Sequence, residues 1–334
     1  MTDFDLKPLP PKGELETSAV LKELVKAHRY LAELKGVAKT IPNENILIST
    51  LSLQEAQSSS AIENIITTQD ALYKHELQSD FSDPVTKEVA HYVDALQLGY
   101  RKVKDKGALT INTGFRKTPG TVLRNERTGT VVFEPPSPEK IPAYMAALES
   151  FINEKSGLDI LVCMALVHHQ FETIHPFYDG NGRTGRILNI LYLVQNKLLD
   201  TPVLYLSRYI NQTKDDYYSL LQKTRDEDLW EDWIIYMLKG VSVTAQHTTA
   251  LIERIRDLLL SQKQEIRENY KFYSQDLLNN LFSHPYTKVA FLEADLKVSR
   301  ATATRYLDAL AEGGILKKQK LGRENYYTNQ SLVE

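Results

Sequence analysis

Twelve consecutive residues, His175-Pro176-Phe177-Tyr178-Asp179-Gly180-Asn181-Gly182-Arg183-Thr184-Gly185-Arg186, bring an imidazole, a carboxylate, three glycines and two guanidiniums into one polar run. An imidazole accepts a proton near neutral pH, which makes His175 a candidate general base. Gly180-Asn181-Gly182 is expected to take positive-φ conformations that turn backbone N–H groups into a concave anion nest at the start of a helix. Arg183 and Arg186, three residues apart in that helix's first turn, oppose its dipole at about 0.3–1 kcal/mol each, so they call for an anion. Asp179 suits a Mg²⁺ ion that keeps its waters and shares phosphate oxygens. The chemistry implied is phosphate binding beside a base.

Two apolar runs must position this stretch. Ile160 to Val167 precedes it, and Ile187, Leu188, Ile190, Leu191, Leu193 and Val194 follow at helical spacing, so a polar loop is pinned between two buried helices. Pro176 fixes the exit from the first helix and holds His175 at the loop's mouth. Other readings explain less. Gly180-x-Gly182-x-x-Gly185 matches a dinucleotide fingerprint but lacks the strand that must precede it. Glu88-x-x-His91 with Glu172-x-x-His175 matches the ligand pairs of di-iron bundles, yet Pro176 ends the helix where such ligands sit mid-helix. A plain helix–loop–helix turn accounts for the glycines and leaves both arginines unexplained.

The stretch resembles the signature of the Fic family, His-Pro-Phe-x-(Asp/Glu)-Gly-Asn-Gly-Arg-x-x-Arg, at every defining position, and the similarity extends over roughly residues 45 to 240. The resemblance implies a mainly α protein, a Fic-type helical core with a small β-hairpin flap, that transfers AMP from ATP to a hydroxyl side chain of a protein. It implies His175 as the base that deprotonates the target hydroxyl and Asp179 as the Mg²⁺ ligand. Asn181 and the nest of Gly180 and Gly182 would bind the α-phosphate, Arg183 and Arg186 the β- and γ-phosphates. Phe177 would anchor the loop, and Tyr217 or Tyr218 would line the adenine pocket.

Read alone, Ser60-Ala61-Ile62-Glu63 is a capping box that starts a helix. Ser59-x-x-x-Glu63-Asn64 also resembles the family's inhibitory motif, (Ser/Thr)-x-x-x-Glu-(Gly/Asn), which implies a subgroup with an N-terminal inhibitory helix. In that reading Glu63 pairs with Arg186 and displaces the γ-phosphate from productive alignment.

Composition bounds the rest. With 334 residues, 42% hydrophobic and 25% charged, the chain has room for more than one domain, and a net charge of −3 predicts no bulk attraction to nucleic acid or anionic membrane. One cysteine, Cys163, forbids an intrachain disulfide and fits a reducing compartment; without a signal pattern or an apolar run of about 18 residues, the expected location is cytoplasmic. Residues 1–13 read as an extended arm and 14–35 as a helix with an apolar stripe. Thr86 to Lys102 is a predicted helix, with His91 an ordinary histidine. Arg124 to Phe133 reads as a hairpin stopped by Pro135-Pro136-Ser137-Pro138, which by resemblance is the flap that registers a target segment. A charge-laced helical stretch over 242–280 bridges to a second domain. There Ser299 caps a helix from Arg300 to Leu310, and a basic hairpin turns near Gly322, the pattern of a winged helix.

The expected division is 1–84 for an N-terminal helical segment with the motif, 85–240 for the core, 241–283 for a connector and 284–334 for the winged helix. Eight Lys/Arg against six Asp/Glu over 285–334 give 8 − 6 = +2, a faint footprint for DNA. A protein or homodimer contact is the competing role for that module. The overall expectation is a protein adenylyltransferase that uses ATP and Mg²⁺, acts on a protein hydroxyl including its own, and is held down by Glu63. The alternatives are a nucleotide-sensing transcriptional regulator and a hydrolase that removes AMP.

Overall fold

The computed structural model describes residues 6–77, 83–111, 114–124, 129–322 and 324–333. The arm lies against the core: the Lys7 carbonyl accepts from Gln170 and the Lys7 ammonium meets Asp228 at 2.5 Å. The first helix, α1 (Ser18–Ala38), starts four residues later than its apolar stripe suggested, because the Thr17 hydroxyl accepts from the Val20 N–H and caps it there. α2 (Glu44–Ile62) is apolar and small all round, from Ile46 and Leu51 to Ser59 and Ile62, and is buried on every side accordingly. The capping-box reading of Ser60 and Glu63 is therefore corrected. Ser60 lies in the last turn of α2 and Glu63 is its C-cap, since no helix begins there.

α3 (Gln69–Leu77) and α4 (Pro84–Lys106) follow, α4 entered through the Asp83 cap with proline in its first turn. The expected hairpin is present as β1 (Leu123–Arg124) paired antiparallel with β2 (Val131–Phe133); its tip, residues 125–128, lies outside the described residues. Then come α5 (Ile141–Asn153), α6 (Ile160–Ile174), α7 (Asn181–Gln195), α8 (Leu206–Gln212) and α9 (Lys214–Glu227). α10 (Trp230–Asn269) is one 40-residue helix, so the boundary expected at 240/241 falls inside it. Its first half packs on α6 and α8, and α1 lies along it.

The remaining elements form the C-terminal domain: α11 (Gln275–Ser283), β3 (Tyr286–Lys288), α12 (Val289–Leu296), α13 (Arg300–Glu312), β4 (Lys317–Leu321), β5 (Glu324–Thr328) and α14 (Gln330–Val333). The sheet order β3-β5-β4, antiparallel throughout, with two helices between β3 and β4, is the arrangement expected of a winged helix. Ser299 caps α13 as expected. This domain is seated on α2 and α3: Tyr73 stacks on Tyr286 at 5.0 Å between ring centroids, and the Tyr286 hydroxyl donates to Asp70 at 2.8 Å.

The core beneath the polar loop is α6 against α7 and α10. Trp233 of α10 is fully buried and its indole N–H donates to the Ala165 carbonyl of α6 at 2.8 Å. Trp233→Phe removes that bond and part of the ring, and urea unfolding followed by circular dichroism should register a loss of roughly 1–3 kcal/mol.

Candidate active site

The loop takes its shape from Pro176. A proline disfavours helical backbone in the residue before it, and His175 leaves α6 in the left-handed region at φ 49°, ψ 60°. Burial pushes the His175 imidazole down to about 4, with Arg225 and Arg116 adding repulsion, so the ring is neutral at physiological pH. Its buried Nδ1 has no hydrogen-bonding partner among the described residues. A neutral imidazole can take a proton.

Beyond His175, Phe177 is half-buried against Phe115 and Phe171, as an anchor should be. The Tyr178 hydroxyl accepts from the Lys117 and Thr118 N–H groups. Gly180, at φ 75°, caps α7, whose first residues are Asn181 and Gly182. The expected nest is thus a helix N-terminus with one left-handed residue before it. Gly182 is helical and needed for space: a Cβ there would come within 2.5 Å of Glu63 Oε1 and 2.7 Å of Arg186 Nη1. Gly185 lets α6 and α7 approach, since its Cβ would lie 2.6 Å from Glu172 Oε1.

Asn181 is buried with both ends of its amide in use. Oδ1 accepts from the Phe177 N–H at 2.8 Å and Nδ2 donates to the Phe177 carbonyl at 2.9 Å. Its side chain braces the loop. Asp179 projects outward, its side chain 83% exposed, touching Arg183 at 3.4 Å. Among the described residues no three His, Cys, Asp or Glu side chains gather as a metal site. One exposed carboxylate at the mouth of this turn fits a Mg²⁺ that would draw its other ligands from water and a bound substrate.

The two arginines have found an anion. Glu63, at the end of α2, spans both: Oε2 accepts from Arg183 Nε at 2.9 Å and Oε1 from Arg186 Nη2 at 2.7 Å. Arg186 is fully buried and donates also to the Ser59 hydroxyl at 2.7 Å and the Ser59 carbonyl at 2.9 Å. Although burial works against its charge, Glu63 and its other neighbours hold the guanidinium above its ordinary pKa. The Asn64 side chain accepts from Lys214 at 3.5 Å. Glu88 of α4, which sequence reasoning considered only as a metal ligand, pairs with Arg183 Nη1 at 2.7 Å. Nothing in its spacing pointed there, and His91 beside it is exposed.

Behind this pair the floor is polar. His168 is sandwiched by Asn189 and by Tyr217, whose hydroxyl lies 2.9 Å from Nε2, and burial with the Arg186 charge pushes its imidazole down to about 3. Tyr217 is therefore core, packed on Trp233 and Tyr236, and is the buried one of the two tyrosines expected at an adenine pocket. Tyr218 is 46% exposed and packs edge-on against it, so it is the tyrosine available at the surface. Burial raises the Glu172 carboxyl to about 7, with Oε1 unpartnered.

Glu55 of α2 is 1% exposed; Ser207 and Tyr92 hydroxyls donate to its Oε1, Oε2 has no partner, and burial raises the carboxyl from 4.5 to about 7. Its neutral form is favoured on folding. That stability is complete below pH 4.5 and is lost as pH rises through 7. Glu55→Gln mimics the neutral form, so its stability relative to the unmodified protein should improve by roughly 1–3 kcal/mol between pH 5 and pH 8 in parallel denaturant titrations.

Comparison with known proteins places this geometry. The model described as Fic/DOC family N-terminal matches residues 21–101, that of the Fic/DOC family residues 98–193, and that of the protein adenylyltransferase SoFic-like C-terminal domain residues 258–332. The chain belongs to the Fic/DOC family. It is 35% identical over 102 residues to a probable protein adenylyltransferase of Aquifex aeolicus, 30% of each chain, and 25% identical over 223 residues to the protein adenylyltransferase Fic of Nematostella vectensis, 66% of this chain and 48% of that one. The matched stretches span less than half the length of these curated relatives. In fold the chain is similar to a Fic family protein from Desulfovibrio desulfuricans, with a TM-score of 0.56 at 19% identity over 96% of this chain and 98% of that one. It is also similar to Fic-1 of Caenorhabditis elegans, with a TM-score of 0.52 at 19% identity over 70% and 73% of the two chains.

Proposed function

We propose that the chain is a protein adenylyltransferase that moves AMP from ATP to a hydroxyl side chain of a protein, itself included, and that Glu63 holds it at rest. The observation that carries this reading is the single carboxylate bridging Arg183 and Arg186 in the first turn of α7, where a helix N-terminus and two cations otherwise await phosphates. Relatives similar in sequence are named protein adenylyltransferases, which supports ATP as the nucleotide.

With Glu63 turned away, the N–H groups at the start of α7 face the α-phosphate and the two guanidiniums receive the β- and γ-phosphates. His175, neutral and buried, takes the proton of the incoming hydroxyl as its oxygen attacks the α-phosphorus, and pyrophosphate leaves. Asp179 would hold Mg²⁺, which supplies charge neutralisation on the phosphates when bound. The protein contributes position and electrostatics, since the reacting groups are those of substrate. Tyr218 supplies an aromatic face for the adenine. For the C-terminal module we prefer a protein-contact role over DNA, because its net charge is only +2 and one of its lysines, Lys318, is paired with Asp308 at 2.7 Å.

Two experiments bear on this directly. Glu63→Gly should raise incorporation of label from α-labelled ATP by roughly tenfold or more, and His175→Ala in that background should lower it by about 10²–10⁴-fold while nucleotide binding persists. An unchanged rate on losing Glu63 leaves it a structural cap, and transfer surviving without His175 removes the base. Glu88→Gln added to Glu63→Gly frees Arg183 from its last strong partner, and calorimetric titration should show ATP binding roughly two- to fivefold tighter, the range for a partly exposed pair.

A further inference from the structure

Two arginines outside the signature fasten the turn that carries His175 to the strand that leaves the flap. Pro176 has no N–H, so the Glu172 carbonyl one turn back loses its helical donor. Arg225, in the last turn of α9, fills the gap: Nη2 reaches that carbonyl at 3.4 Å, and Nε donates to the Thr173 hydroxyl at 3.1 Å, which in turn donates to the His169 carbonyl. The opposite face of the same guanidinium lies 4.2 Å from the centroid of Phe133, the buried end of β2. Arg116, in the loop after α4 and 2% exposed, repeats the pattern. Its Nε donates to the His175 carbonyl at 2.9 Å, its Nη2 donates to the Pro136 carbonyl, and its backbone N–H donates to the Pro176 carbonyl at 2.8 Å.

Neither guanidinium forms an ion pair among the described residues. Their partners are carbonyls, a hydroxyl and a ring. A cation held by neutral groups on two segments at once fixes the distance between those segments, because each contact is short-ranged and directional. Lysine, a point charge, cannot hold both sides.

We propose that Arg116 and Arg225 are positioning residues that lock the flap exit, Phe133 to Pro136, to the His175 turn, so that an acceptor segment seated along the flap arrives in register with the imidazole. The idea deepens the adenylyltransferase reading and rests on it for its kinetic consequence. The structural consequence stands without it.

The test has two arms. In hydrogen exchange of the full chain with Glu63 intact, Arg225→Gln should speed exchange at the amides of 131–134 and of 173–175 together, leaving the amides of α7 beyond Arg186 unchanged. Phe133→Leu, which leaves both arginines in place and removes only the ring stacked on Arg225, stands in should Arg116→Gln fail to fold, and should give the same paired loss. Deprotection of one segment alone, or of the whole chain, overturns the lock. In the Glu63→Gly background, Arg225→Gln and Phe133→Leu should each lower kcat for self-modification by roughly tenfold with KM for ATP within about twofold, and the double variant should be little worse than either single one. Additive losses, or a loss confined to KM for ATP, overturn the coupling. An inactive Glu63→Gly protein in which the paired exchange is still seen would count against the transferase reading alone.

Discussion

Two guanidiniums in the first turn of a helix sit against the positive end of its dipole, and one of them, Arg186, is fully buried. An unpaired buried charge costs several kcal/mol, so an anion in that turn stabilises the fold. Glu63 supplies it, and the surroundings follow. Gly182 must lack a side chain for the carboxylate to enter, α2 must end where it does, and the Ser59 hydroxyl and carbonyl must face Arg186. On the proposed reading a nucleotide brings the same charge to the same place. Carboxylate and triphosphate then exclude each other by occupancy, and regulation needs no second site.

The same economy shaped what was legible in the sequence. The stretch 175–186 could be read because its chemistry is local: the turn, the dipole and the cations are all fixed by neighbours within a dozen residues. Helices with a stripe, such as α4 and α13, were visible for the same reason. Long-range partners were not. Glu88, Arg116 and Arg225 are ordinary charged residues at ordinary spacings, and only packing brings them to Arg183, to the His175 carbonyl and to Phe133. Ser60 to Glu63 misled because a capping box and a helix end share residue types, and the apolar packing of α2 through Ile62 decided between them. Ligand roles for Asn181 and for Tyr217 or Tyr218 follow from the family resemblance, which says nothing of what else those side chains bind. Burial turned the polar atoms of Asn181 and Tyr217 inward, to the Phe177 backbone and to His168.

On the proposed reading, how Glu63 would leave the arginines is constrained by the helix that carries it. α2 is enclosed by α4, α7 and α8, with α3 and α11 also packed on it. At about 25 cal/mol per Å² of apolar surface, withdrawing a helix so enclosed would expose enough to exceed the stability of a typical domain. Withdrawal is therefore not a route to release. The end of the helix is different. Glu63 lies past the last full turn with its side chain 23% exposed, and Asn64 follows in the left-handed region at φ 59°. A change of side-chain rotamer there breaks two ion pairs and moves no packed apolar group. The energy at stake is then that of the ion pairs alone, a few kcal/mol, which is within what a bound triphosphate or a partner pressing on the loop after Asn64 can supply. On the proposed reading, an enclosed α2 with Glu63 at its very end would give a lock that opens without unfolding.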